Sequence, residues 1–373
     1  MDGRRLNVLY VSRGYTTHDR RFLGSFARAG WSPTHLPMID ERLDSRPLPA
    51  GVIQLIWGDG RWPESRAEWL ARVKHLRGVI DGLKPDVVIA GPIQSASLIA
   101  ALAGAEPLVA VSWGTDMLVD ADSTPLCDHA TRRALGASAL VFGDCRAVRE
   151  AVKDHGGPDD DHIVTFPWGI DLDRYCPGPS ALSVRKELGW ENAEVFISTR
   201  TWEPVYAIDV LLDAFAALRQ KRESVRLFLL GDGSLAPQIH AQIEKLGIAE
   251  SVHAPGRVPQ ADLPDWFRMA DAYVSSALSD GTSISLLEAM ATGLPVVVSK
   301  SFGNLEWVEH GVNGALAQPG NANSLTDAMS FVIEDPLRST RMSSTNIETA
   351  KAKANWDNNF PELVKAVARL VMK

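Results

Sequence analysis

Ser275-Ser276-Ala277-Leu278-Ser279-Asp280-Gly281-Thr282-Ser283-Ile284-Ser285-Leu286-Leu287-Glu288-Ala289-Met290-Ala291-Thr292-Gly293-Leu294-Pro295-Val296-Val297-Val298-Ser299 reads as the end of a strand, a loop, a helix and a second strand. The order of residues in it is physically pointed. Gly281 permits a tight turn, Thr282 or Ser283 can cap a helix, and the free amides of a first helical turn can receive phosphate oxygens. Glu288 lies roughly one and a half turns inside the helix from Ser283, while Asp280 stays in the preceding loop. Two acidic groups can thus bracket one extended ligand from opposite ends. With 46 acidic residues in the chain such a pair means little alone, so the reading rests on the block around it.

Working outward, the same alternation continues on both sides. In the second half, Val195 to Ser198, Arg226 to Leu230, Ser251 to Ala254 and Ala272 to Ser275 read as strands, with helices over Ala207 to Arg219 and Leu235 to Leu246. In the first half, Leu6 to Val11, Val52 to Trp57, Val87 to Ala90, Leu108 to Trp113 and Ala139 to Phe142 are strand candidates. Arg20 to Ala29 and the segments 66 to 82, 93 to 104 and 125 to 136 suit helices. Such alternation predicts an α/β protein of mostly parallel sheets covered on both faces. The chain of 373 residues is too long for one ordinary core, and the proline- and glycine-bearing stretch Pro167 to Ser180 marks a boundary. The expected division is 1–175, 176–345, and a C-terminal helix over 346–373. That helix, with Trp356, Phe360, Leu363 and Val367 in one stripe, is expected to pack back on the first domain.

Hydrophobic residues make up 45% and charged residues 23%, which is the composition of a chain that folds throughout. A formal charge of −8 argues against a general nucleic-acid surface, so no nucleic acid is expected as a partner. Three scattered cysteines, Cys127, Cys145 and Cys176, fit a reducing compartment and a cytoplasmic protein. With no HExxH and no grouped Cys/His ligands, neither a metal nor another cofactor is expected. Peripheral membrane contact would follow if Arg20, Arg21, Arg28, Phe22 and Phe26 formed an exposed basic and apolar helix face. The alternative is that this stripe packs onto a sheet.

The block around Asp280 and Glu288 resembles the donor-binding signature of the retaining glycosyltransferases of GT-B family 4, also called glycosyl transferases group 1. The likeness extends through Gly303-Asn304-Leu305-Glu306-Trp307-Val308 and Gly311-Val312-Asn313-Gly314. It includes Arg200, Gly231-Asp232-Gly233 and Gly256-Arg257-Val258, and covers most of residues 195 to 320. The resemblance implies two Rossmann-like open parallel-sheet domains facing a cleft, the GT-B fold. It also implies transfer of a sugar from a nucleotide diphosphate sugar donor to a hydroxyl acceptor on a glycan, lipid or small molecule, with retention at the anomeric carbon.

Carried onto this chain, the resemblance makes Glu288 the ribose ligand, and Gly281, Thr282, Ser283 and Ile284 the diphosphate cradle. Asp280, standing where glutamate is usual, would meet the transferred sugar. Arg200 is the diphosphate partner, its fork suited to bidentate phosphate contact. The family's following lysine is replaced in the neighbourhood of Tyr206. Arg257 is a substitute cation or a neighbour of the base, and Gly14 and Gly231 face the donor. Trp113-Gly114-Thr115-Asp116 resembles a histidine-glycine-any-aspartate segment, so Asp116 is a catalytic candidate. Trp113 then either shapes the sugar or acceptor pocket with Gly114 or packs in the core. His18 is an acceptor-side candidate. Two other functions stay open at this point: a nucleotide-sugar-binding protein without transfer activity, and a nucleotide-sugar epimerase of the same architecture.

Overall fold

The computed structural model describes residues 5–44, 46–58 and 60–372. It divides into two compact units, one built from the chain up to Pro167 and from Phe360 onward, the other from Trp168–Asn359.

The first unit holds a seven-stranded sheet of β1 (Asn7–Ser12), β2 (Ser32–Pro37), β3 (Ile53–Gln54), β4 (Val87–Gly91), β5 (Leu108–Val111), β6 (Leu140–Gly143) and β7 (Ile163–Thr165). All pairings are parallel and the order is β3-β2-β1-β4-β5-β6-β7. Its helices are α1 (Thr17–Arg28), α2 (Arg66–Leu83), α3 (Leu98–Ala103), α4 (Pro125–Gly136) and α5 (Arg146–Asp154). The strands β4, β5 and β6 are buried at every position, as parallel strands covered on both faces require.

In the second unit, α6 (Val184–Glu187) precedes β8 (Glu194–Ser198), α7 (Ile208–Lys221), β9 (Val225–Leu230), α8 (Ala236–Lys245), β10 (Val252–Gly256), α9 (Leu263–Arg268) and β11 (Ala272–Ser275). After these come α10 (Ile284–Thr292), β12 (Val296–Ser299), α11 (Phe302–Leu305), β13 (Gly314–Ala317), α12 (Ala322–Ile333) and α13 (Pro336–Lys353). The six strands are again all parallel, in the order β10-β9-β8-β11-β12-β13. In both sheets the strand order reverses beside the first strand of the unit. In open α/β sheets ligands bind at the carboxyl ends of the strands flanking such a reversal.

Local signals explain how the helices start. Thr16 and Asp19 form a reciprocal capping box at α1, and Ser65 and Glu68 form one at α2. The apolar stripe of α1 faces inward: Phe22, Leu23 and Phe26 are all fully buried, so the exposed basic and apolar face considered from the sequence does not exist. Among the described residues no helix is long and apolar enough to cross a membrane.

Three strands escape the sequence pattern. β2 is Ser-Pro-Thr-His-Leu-Pro, yet it lies inside the sheet between β1 and β3, with His35 fully buried. β7 and β13 are short edge strands of three and four residues. The candidate over Val52 to Trp57 contracts to Ile53–Gln54.

The boundary between units also lies earlier than residue 175. Trp168 stacks on Trp356 with ring centroids 6.1 Å apart, and Ile170 and Tyr175 join the core of the second unit. A β-carbon on Gly169 would stand 2.1 Å from the Trp356 amide nitrogen, so only glycine permits this crossing. At the same point the expected tail helix breaks, with α13 ending at Lys353 and α14 (Trp356–Val371) starting afresh. The Ala354 carbonyl between them accepts from the Ile170 amide at 2.8 Å. Further along α14, Phe360 belongs to the first unit, where its ring meets Phe22 at 5.6 Å and Phe26 at 5.2 Å.

Truncating Phe360→Ala should therefore cost about 3 kcal/mol of stability through lost burial and a residual cavity. Urea unfolding of the intact chain, followed by circular dichroism, checks this.

Candidate active site

The reversal in the second sheet lies between β8 and β11, which pair through Phe196 with Ala272 and Ile197 with Tyr273. The loops that leave the two strands are thereby set side by side. Arg200, just past β8, turns its guanidinium into the loop past β11. Its Nη1 donates to the Ser283 hydroxyl at 2.7 Å and to the Ser285 hydroxyl at 3.0 Å, and its Nη2 lies 2.8 Å from an Asp280 carboxylate oxygen. The Tyr273 hydroxyl sits 2.8 Å from that of Ser285. One face of the guanidinium is covered by Tyr206, 4.1 Å from its ring centroid. An aromatic ring thus occupies the neighbourhood where the resemblance would place a lysine.

Burial opposes the charge on Arg200, but Asp280, Tyr206 and Tyr273 together outweigh it and the guanidinium is held above its ordinary range. For Asp280, burial pushes the carboxyl up from its usual value against the pull of Arg200, the Ser283 hydroxyl and the Gly281 amide. Ser283 stands at the N-cap of α10 without making a side-chain cap, because its hydroxyl is engaged by Arg200 instead. The Ser283 side chain therefore does not close the helix start.

Close backbone approaches fix the surrounding loops. A β-carbon on Gly303 would lie 2.0 Å from the Gly281 carbonyl oxygen and 2.7 Å from that of Asp280. Gly231, at φ +126°, would place one 2.4 Å from the Arg200 carbonyl oxygen. Its amide donates to the Gly256 carbonyl at 2.9 Å, which aligns the ends of β9 and β10 beside Arg200. Arg257 follows as an exposed side chain. The Ser234 hydroxyl and amide, and behind them Arg257, hold the Glu203 carboxyl below the usual range. On the far side, the Leu278 amide donates to the Val205 carbonyl at 2.8 Å and the Ser276 hydroxyl to the Tyr206 carbonyl at 2.8 Å, binding the loop of Tyr206 to that of Asp280. Glu288 is only 6% exposed on α10, and the phenol of Tyr175 lies against its carboxylate. Asp280 and Glu288 thus have quite different surroundings, a cation for one and a phenol for the other.

In the first unit, the candidates gather at the carboxyl ends of β1, β4 and β5. Gly14 is required by packing, since a β-carbon there would stand 2.8 Å from the Glu41 carbonyl oxygen. Gly114 has φ +92°, a conformation that favours glycine. Trp113 packs edge-on against Phe22 at 6.2 Å and lies 5.5 Å from the His18 ring, so it is partly a core residue. Burial, then Arg21, lowers His18 to about 4.

Asp116, a catalytic candidate from the sequence, is 3% exposed and occupied by its own loops. One oxygen accepts from the Ser112 hydroxyl at 2.7 Å, the Trp113 amide at 2.9 Å and the Met117 amide at 3.1 Å; the other accepts from the Ile93 amide at 3.0 Å. Its carboxylate ties the β4 and β5 loops together. The sequence singles out Tyr206 but not Tyr175, Tyr273 or Ser285. Only long-range neighbours reveal the latter three, although Ser285 falls inside the quoted block.

Two doubly wound parallel sheets with a polar cluster at the reversal of the second define the GT-B class of fold. Solved structures agree in fold. The crystal structure of Anabaena Alr3699/HepE in complex with UDP and glucose superposes with a TM-score of 0.81 at 22% identity, covering 98% of this chain and 100% of that one. Sucrose-phosphate synthase from Thermosynechococcus elongatus gives 0.81 at 14% identity, with coverage of 98% and 99%. Residues 182–349 match the family Glycosyl transferases group 1, and the protein is a glycosyltransferase. Among relatives, the chain is 27% identical over 306 residues to the GDP-mannose-dependent alpha-(1-6)-phosphatidylinositol monomannoside mannosyltransferase of Mycolicibacterium smegmatis, spanning 80% of this chain and 79% of that protein. It is 29% identical over 239 residues to the D-inositol 3-phosphate glycosyltransferase of Thermobispora bispora, spanning 61% and 55%.

The geometry gives two expectations. Gly303→Ala should force the Asp280–Gly281 loop off Arg200, lowering turnover about a hundredfold while leaving far-ultraviolet circular dichroism intact. His18 stays neutral through the neutral range, so its imidazole proton resonance should show no titration step between about pH 8 and 5.5.

Proposed function

We propose that the protein is a retaining glycosyltransferase that moves a sugar from a nucleoside diphosphate sugar to a hydroxyl acceptor. The observation that supports this best is the meeting of Arg200 with Asp280, Ser283 and Ser285 at the start of α10, beside the sheet reversal. A buried cation, hydroxyl groups and the amides of Gly281, Thr282, Ser283 and Ile284 suit a doubly charged anion. Glu288, further along the same helix, takes the ribose hydroxyls. The loops carrying Gly231 and Arg257 flank the base side. Gly14, His18, Trp113 and Gly114, with Asp116 holding their loops in place, are the first unit's candidates for contact with the sugar and acceptor.

In this reading the chemical task is to stabilise the leaving diphosphate. Arg200 and the helix-start amides offset the charge that grows as the bond to the sugar opens. An incoming diphosphate competes with Asp280 for the Arg200 fork, and the carboxylate it releases turns to the sugar hydroxyls. The acceptor oxygen enters from the face the diphosphate leaves, and the departing phosphate oxygen takes its proton. No protein nucleophile is needed.

Relatives are named for GDP-mannose and for inositol-containing acceptors, and Alr3699/HepE was solved with UDP. GDP- and UDP-sugars with inositol or glycolipid hydroxyl acceptors are therefore the first substrates to try. A second reading, binding of a nucleotide sugar without transfer, is favoured by Tyr206 standing where a second cation would otherwise lie. Release of nucleoside diphosphate together with a sugar-bearing product, compared with donor hydrolysis alone, separates the two. Glu288→Ala should weaken binding of the nucleoside diphosphate about tenfold or more. Arg200→Ala should lower turnover by about a hundredfold or more and also reduce stability, because it leaves the buried Asp280 carboxylate without its cation. Calorimetric titration beside product assays measures both, and unchanged affinity and turnover in the two variants would refute the assignment.

A further inference from the structure

Glu288 has a neighbour whose place comes from another part of the chain. Tyr175 lies in the segment that leads into the second unit, and only 3% of it is exposed. That segment is firmly held. The Tyr175 amide donates to the Asp171 carbonyl at 3.0 Å, and Arg268 of α9 donates to the carbonyls of Arg174 at 2.8 Å and Cys176 at 3.1 Å. Arg174 in turn donates to the Gln260 carbonyl at 2.8 Å. The Tyr175 ring meets Phe267 edge-on at 6.0 Å. The phenol is therefore aimed by α9 and by backbone bonds on both sides of it.

Buried in this way, the Tyr175 hydroxyl makes no protein hydrogen bond of normal geometry. Beside it lie the Glu288 carboxylate and the Gln260 side chain, with the Arg174 guanidinium 5.7 Å from the ring centroid. Burial, and then the charge of Glu288, push the phenol up, so it keeps its proton and is a donor throughout the neutral range. Phenylalanine would fill the same space without the desolvated hydroxyl, and a buried donor left without a bond is costly. A carboxylate that accepts two vicinal ribose hydroxyls must present its lone pairs in one direction, and a donor placed beside it fixes that rotation.

We propose that the Tyr175 hydroxyl donates to the Glu288 carboxylate when a nucleoside diphosphate is bound, and so orients it toward the ribose hydroxyls. Tyr175 is in this sense a positioning residue. The proposal rests on the reading of Glu288 as the ribose ligand.

The test uses the full chain and calorimetric titration with UDP and GDP, each beside its 2′,3′-dideoxy form. Tyr175→Phe removes one oxygen and keeps the ring. It should weaken the better-bound ribonucleotide about tenfold and leave the dideoxy ligand unaffected. In turnover, the donor KM should rise by the same factor with kcat within about twofold of the parent. Glu288→Gln should lose the same preference for ribose, and adding Tyr175→Phe to it should change nothing further. If Tyr175→Phe keeps the parent's ribose preference, or weakens ribose and dideoxy ligands alike, while Glu288→Gln abolishes the preference, the proposal falls and the reading of Glu288 stands. If Glu288→Gln also keeps the preference, both fall together.

Discussion

The contact between Arg200 and Asp280 is the constraint on which the second unit is organised. It joins the ends of two strands that are neighbours in the sheet but far apart in the chain. A guanidinium held this deeply needs a compensating charge, and a carboxylate held this deeply needs a cation; each makes the other tolerable. The serine hydroxyls of Ser283 and Ser285 complete the fork, and the Tyr206 ring closes one face. Glycines at 231 and 303 then let neighbouring backbone approach without disturbing the pair. In the proposed reaction, this internal pair is also what a diphosphate must share. The site is near neutral before the ligand arrives and reorganises its charge around it.

Polar atoms without a protein partner concentrate at the same place. Ser198 Oγ, Thr199 Oγ1, Arg200 Nε and Trp202 Nε1 are all buried and lack protein hydrogen bonds. Such groups reduce the stability of a fold, and their clustering at one strand end fits a site where binding outranks stability. Asp116 shows the opposite condition in the first unit. Four donors saturate it, and its value is the fixed spacing of two loops.

Much of this was legible in the sequence for definite reasons. The α10 block announces itself because Gly281 and Gly293 bound a short run that lies between two strand patterns, and its order survives in the structure. Two parallel α/β units follow from the spacing of apolar runs. β2 was not legible, because two prolines and a buried histidine obscure a strand whose place depends on β1 and β3. The Arg200 to Asp280 pairing was hidden for a different reason. Each side chain could be assigned a ligand, but only the strand order shows that they meet one another. Tyr175 escaped because the path of the chain across the unit boundary is set by Gly169 and the Trp168 to Trp356 stack, which no local pattern encodes. The helix α1 misleads in a simpler way: its aromatic stripe is equally suited to a lipid surface or a sheet, and only packing decides.

The return of the chain at Phe360 makes the second unit an insertion within the first. Two covalent crossings, not one, separate the halves, and neither half is a contiguous N- or C-terminal fragment. A truncation near Pro167 would strip the first sheet of the aromatic ring it receives from α14 and leave Phe22 and Phe26 uncovered. Anyone wishing to express the first half alone must splice Pro167 to Phe360 through a linker, whereas the second half can be excised as one continuous polypeptide.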